Sequence, residues 1–143
     1  MPSLITRIAH PVGGRFVTAR SNAPGRLCHW QYPPHRFCAA RRKAGVATQT
    51  TLGRHVIVNR GSLIGHHTTI GDYVTVSPGA NIAGRVTIGE GTYISMSAVI
   101  LNDLTVGCHA IVGAGAVVTH AIPDRVQVIG TPAKIGKEGI GGR

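Results

Sequence analysis

Acid is what this chain has least of. Five Asp and Glu stand against fifteen Lys and Arg among 143 residues, and none of the five falls in the first fifty. Those fifty residues carry eight basic side chains, whereas residues 51–143 carry seven basic and five acidic ones, a surplus of two. The formal charge of +10 therefore belongs to the N-terminal third. The rest lacks the cationic field that phosphate backbones select, which argues against a nucleic-acid partner. Aromatics are 4% of the chain, so any core must be built from small aliphatics. Three cysteines, Cys28, Cys38 and Cys108, form no CxxC pair and no disulfide framework, as expected in a reducing compartment. No apolar run approaches the length of a membrane span. The N-terminus has no apolar stretch of the signal-peptide kind, so the expectation is a cytoplasmic protein. The length suits one domain with a core.

What is present is a period. From Leu52 an aliphatic residue returns every sixth position: Leu52, Val58, Ile64, Ile70, Val76, Ile82, Ile88, Ile94, Ile100, Val106, Val112 and Val118. Chance would fill one such phase about once in 10^5 tries or fewer. Four residues after each aliphatic stands a residue that is mostly small or β-branched, from Val56 and Ser62 to Ala116 and Ile122. That composition suits short strands. Directly after the aliphatic comes Gly at 53, 65, 71, 89, 107 and 113, which reads as the turn residue.

A period of six fits neither a helix at 3.6 nor a simple strand at two. It fits a chain that turns a corner every six residues, three flat faces closing a triangle of eighteen. Residues 51–123 then form about four coils of an all-β parallel β-helix, stacked about 4.8 Å apart. Residues 124–143 are a closing loop and tail. Four coils leave sides and ends to cover, which points to an oligomer.

Residues 1–50 are an irregular basic segment without repeat register. Three readings stand side by side: a disordered extension; a nucleic-acid arm using Arg41, Arg42 and Lys43 with Trp30, Tyr32 and Phe37; or altered repeat coils.

The stretch GSLIGHHTTIGDYVTVSPGANIAGRVTIGEGTYI, residues 61–94, resembles the hexapeptide-repeat acyltransferases. The likeness is strongest to the sialic-acid O-acetyltransferase and UDP-amino-sugar N-acetyltransferase group. The carrying motifs are Val58-Asn59-Arg60-Gly61, Gly65-His66-His67 and Val74 to Ala80, then the Val112–Val118 coil and the Gly130-Thr131-Pro132-Ala133-Lys134 loop. The resemblance covers about Leu52 to Ile135. It implies a left-handed β-helix, a homotrimer, and acetyl-CoA as co-substrate in the groove between subunits. The activity implied is O- or N-acetyl transfer to a sugar, an amino sugar or sialic acid in surface-glycan synthesis. His66 falls on the family's catalytic histidine, with His67 in a supporting role. Gly84, one coil above, would offer a backbone N–H to the developing oxyanion. Asn102 and Thr75 would line the coenzyme site, and Lys134 would meet a phosphate.

The chain also departs from that group. His67 stands where an acid is common, Thr75 where a second histidine is common, and Arg60 replaces the histidine of an Asn-His-Gly element. No strand–glycine turn–helix pattern of a nucleotide-sugar domain precedes the repeat. His10-Pro11 resembles the start of the family's coils, so residues 1–50 are expected to replace a first coil by truncation or a reading-frame change. Two alternatives follow: a catalytically impaired or structural β-helix protein, or a hexapeptide acyltransferase with a non-sugar acceptor. No metal site is expected. His55 and His109, like His66 and His120, stand three coils apart, about 14 Å, too far to share an ion.

Overall fold

The computed structural model describes residues 6–9, 16–19, 28–29, 39–41 and 43–141. The chain is an all-β, left-handed parallel β-helix of triangular section. The first face stacks Ala39–Ala40, Ile57–Val58, Thr75–Val76, Tyr93–Ile94, Ile111–Val112 and Val126–Ile129. The second stacks Gly45–Val46, Leu63–Ile64, Asn81–Ile82, Val99–Ile100 and Val117–Val118. The third stacks Thr51–Leu52, Thr69–Ile70, Thr87–Ile88 and Thr105–Val106. Residues eighteen apart pair in register, as in Thr75↔Tyr93, Asn81↔Val99 and Thr87↔Thr105.

The stack begins earlier than the sequence suggests. Ala39–Ala40 pairs with Ile57–Val58 and Gly45–Val46 with Leu63–Ile64, so five coils form rather than four. Val46, six residues before Leu52, is 6% exposed and belongs to the core. Farther back, Cys28–His29 pairs antiparallel with Ala39–Ala40, and Thr6–Ala9 with Phe16–Ala19. Trp30, Tyr32, Phe37, Arg42 and His10-Pro11 lie outside the described residues.

The corners correct one expectation. A chain turning every six residues needs left-handed backbone once per turn, and from Lys43 to Gly115 every sixth residue has φ between 53° and 71°. Among them are His55, His67, Tyr73, Arg85, Asp103 and His109. A side-chain-bearing residue there costs about 1–2 kcal/mol, offset by the strand pairing on either side. The glycines after the aliphatics are not at those angles. They serve close approach instead: a Cβ on Gly65 would lie 2.5 Å from the backbone of Ala83 and Gly84, and one on Gly89 2.5 Å from Cys108 N. The coils stack too closely there for any side chain.

Both periodic columns face inward. Val56, Val74, Val86, Ala98 and Ala110 are buried together with Ile70, Ile82, Ile88, Ile94 and Ile100. Burying each Val or Ile contributes about 1.5–3 kcal/mol. The buried hydroxyls bond to backbone carbonyls, as in Thr68 Oγ1 to Ala83 O at 3.2 Å and Thr92 Oγ1 to Gly107 O at 2.7 Å. The final coil is two residues short. Val112 pairs with Val128, and Ile122, expected in the second column, bridges Val106 on the third face. The C-terminal part is more than a loop: Lys134–Glu138 pairs antiparallel with Val126–Ile129 across the cis Thr131–Pro132 bond.

Candidate active site

The corner between the second and third faces collects the chemistry. Successive coils place His66 and His67, then Gly84 and Arg85, then Asn102 and Asp103 there, one above another. Backbone bonds tie the levels: Arg85 N donates to His66 O at 2.8 Å, and Asp103 N to Gly84 O at 3.1 Å.

His66 and His67 are exposed, and their Nδ1 atoms lie 2.9 Å apart with the rings edge to face. His67 has φ 55°, which turns its side chain back onto its neighbour. The His66 ring leans upward onto Gly84. A Cβ on Gly84 would stand 2.9 Å from both Nε2 and Cε1 of His66. The space left by the absent side chain therefore holds the imidazole itself, whereas the resemblance implies an approach to the Gly84 backbone N–H there. The ring lies with its face over Gly84 of the coil above, Cε1 and Nε2 equally near.

Above this pair, Arg85 and Asp103 form an exposed ion pair, Nη2 to Oδ2 at 2.8 Å together with Nε to Oδ1. Asn102 Nδ2 donates to the same carboxylate at 2.6 Å. The Arg85 bonds first, then Asn102, with a smaller contribution from His66, pull the Asp103 carboxyl down to about 2. The Arg85 guanidinium is raised by the same partner.

The site residues expected from sequence divide accordingly. His66, His67, Gly84 and Asn102 meet at this corner. Thr75 does not: it lies on the first face between Ile57 and Tyr93. Lys134 stands beyond the last coil, exposed at the start of the closing strand. Arg85 and Asp103 were not anticipated. The signal for them was available, since they follow His67 by eighteen and thirty-six residues in one column. Among the described residues no group of three metal-binding side chains converges, and no helix is long and apolar enough to cross a membrane.

No protein-family profile matches this chain, and no curated protein matches it by sequence. Solved structures do. WeeI from Acinetobacter baumannii AYE is 38% identical, with a TM-score of 0.64, over 68% of this chain and 47% of that one. PerB from Caulobacter crescentus, solved with CoA and GDP-perosamine, is 30% identical, with a TM-score of 0.60, over 72% and 58%. A hexapeptide-repeat acetyltransferase from Vibrio cholerae, complexed with acetyl coenzyme A, shares the fold at 21% identity and a TM-score of 0.66. The chain spans about half the length of the first two. By its six-residue period, its triangular coils and its 30–38% identity to the first two of these neighbours, the chain carries the hexapeptide-repeat acyltransferase fold.

Proposed function

We propose that this chain is an acetyl-CoA-dependent acetyltransferase acting on a sugar, with an amino sugar as the favoured acceptor and His66 as general base. The observation that carries the reading is the His66 imidazole lying face-on over Gly84, so that its in-plane Nε2 lone pair is not aimed at that glycine. A base so placed takes a proton from the acceptor amine or hydroxyl as that atom attacks the thioester carbonyl. On this reading the Gly84 N–H serves the developing oxyanion. Collapse of the intermediate breaks the C–S bond, and His66 returns the proton to the departing thiolate. No acyl-enzyme forms.

The acceptor class draws support from the Caulobacter neighbour, which was solved with a nucleotide-linked amino sugar and, in two further structures, with a histidine substituted. Asn102 lines the coenzyme groove along the same corner. Thr75 and Lys134 contact acetyl-CoA only across a subunit boundary, on this reading, since neither shares the corner of His66. A homotrimer supplies that boundary. Leu63 on the second face and Ile57 on the first stand outward and exposed, while the third face presents Thr69, Thr87 and Thr105. The first two faces are therefore the ones a neighbour would cover.

The test is thiol release from acetyl-CoA with a panel of free and nucleotide-linked amino sugars. Wild type turns over, and His66→Ala loses roughly 10^2-fold or more. An unchanged rate in the variant ends the assignment.

A further inference from the structure

Where related sequences place an acid after the base, this chain has a second imidazole, and the two rings are already bonded. We infer that His66 donates its Nδ1–H to Nδ1 of a neutral His67, so that His67 is the positioning residue that leaves Nε2 of His66 unprotonated and able to act as the base. This deepens the proposed function and rests on His66 being its base.

Two neutral arrangements satisfy an Nδ1···Nδ1 bond of 2.9 Å, because one ring must donate and the other accept. If His67 donated, His66 would carry its proton on Nε2. The only lone pair of His66 would then be engaged by its partner. No base would remain. If His66 donates, His67 keeps its proton on the exposed Nε2, where water accepts it, and the lone pair of His66 Nε2 stays free. The bond also survives the reaction in this arrangement. When His66 takes the acceptor's proton it becomes an imidazolium that still donates from Nδ1, now through a charge-assisted bond about twice as strong as the neutral one. Which nitrogen of a histidine carries the proton is set by the bond the other makes.

Around the pair, the Arg85–Asp103 ion pair stands in the coils above, and below, the backbone N–H of His67 donates to Thr48 O at 3.3 Å, where Thr48 and Gln49 are uncharged.

The test reads the protein directly, by two-bond 1H–15N correlation on 15N-histidine protein near pH 8. The expected spectrum shows His66 protonated at Nδ1 and His67 at Nε2; the reverse assignment overturns the inference. His67→Gly removes the acceptor without straining the left-handed turn. It should move His66 toward the Nε2–H form and lower thiol release at least tenfold. An unchanged His66 tautomer in this variant also overturns the inference. His67→Asp, which tolerates the same backbone angle, should keep the proton on Nδ1 and move the His66 titration midpoint upward by about one pH unit or more. A midpoint that does not move counts against the pair. If the tautomers come out as stated while no acceptor releases thiol, the pair stands and acetyl transfer falls.

Discussion

Two corners of the prism are built on the same backbone and used differently. Between the third and first faces, aspartates cap the chain: Arg54 N donates to Asp72 Oδ1 and Cys108 N to Asp124 Oδ1, each at 2.7 Å. Arg54 is further clamped by Asp72 through its side chain, 2.7 Å from Nε to Oδ2. His55 stacks on Tyr73 at 5.1 Å, and His109 occupies the open side of Gly91. Between the second and third faces, the positions equivalent to Asp72 and Asp124 are held by Gly84 and Asn102, and the only aspartate, Asp103, bonds Arg85 and Asn102 side chains. Histidines and ion pairs occur at both corners. What separates them is whether the carboxylates close the backbone or bond to neighbouring side chains.

The sharpest way to break this comparison is to exchange histidines. His66→Ala should cost roughly 10^2-fold or more in thiol release, and His109→Ala should stay within about twofold of wild type. Equal losses would mean that the corners do not differ in function.

A smaller effect separates two glycines. Gly84→Ala has no left-handed angle to oppose it, yet its Cβ meets the His66 ring at 2.9 Å. It should unseat the base, lowering turnover about tenfold or more with the thermal midpoint little changed. Gly91→Ala combines φ 65° with a Cβ that would collide with His109 Nδ1. Its cost should appear as a lower thermal midpoint, from strain of about 1 kcal/mol or more, with turnover kept in the folded fraction. Steady-state kinetics beside thermal unfolding would show whether the two effects divide this way.

Charge removal comes next. Asp72→Asn weakens a backbone cap and an ion pair together, so it should lower the melting temperature more than Asp103→Asn does. Asp103→Asn releases the Arg85 guanidinium toward the histidines and should reduce turnover a few-fold near neutral pH. Reversed stability losses would contradict the division of roles.

The smallest effect is in acid. Asp103 is depressed from an ordinary 3.8 to about 2 in the folded chain. Its contribution to stability is therefore present above about pH 4 and lost as pH falls toward 2. Asp103→Asn should flatten that part of the unfolding profile slightly, because both partners are exposed.

Much of this was legible before any coordinates. The six-residue aliphatic column marks the inner surface, and His66 and Gly84, eighteen residues apart, mark a stacked pair. The start of the stack is hidden, although Val46 and Ala40 continue the phase. Two residues are too few to establish a period beside the Arg- and Pro-rich segment before them. The task of the glycine column is ambiguous in sequence, because turn angles and interstrand clearance select the same residue. Arg85 and Asp103 do not stand out, because a charged residue at an exposed turn carries no signal until its neighbour one coil away is known.

The sequence by itself determined the solenoid, since strict spacing of buried methyl groups admits no other way to keep them dry. It also determined which histidine lies near which glycine, because the eighteen-residue register converts spacing into height. Only the tertiary structure decided that the His66 ring fills the space in front of Gly84, that His67 bonds back to it, and that Asp103 turns to Arg85 and not to the backbone. Those outcomes depend on side-chain rotamers across coils, which a periodic pattern leaves free.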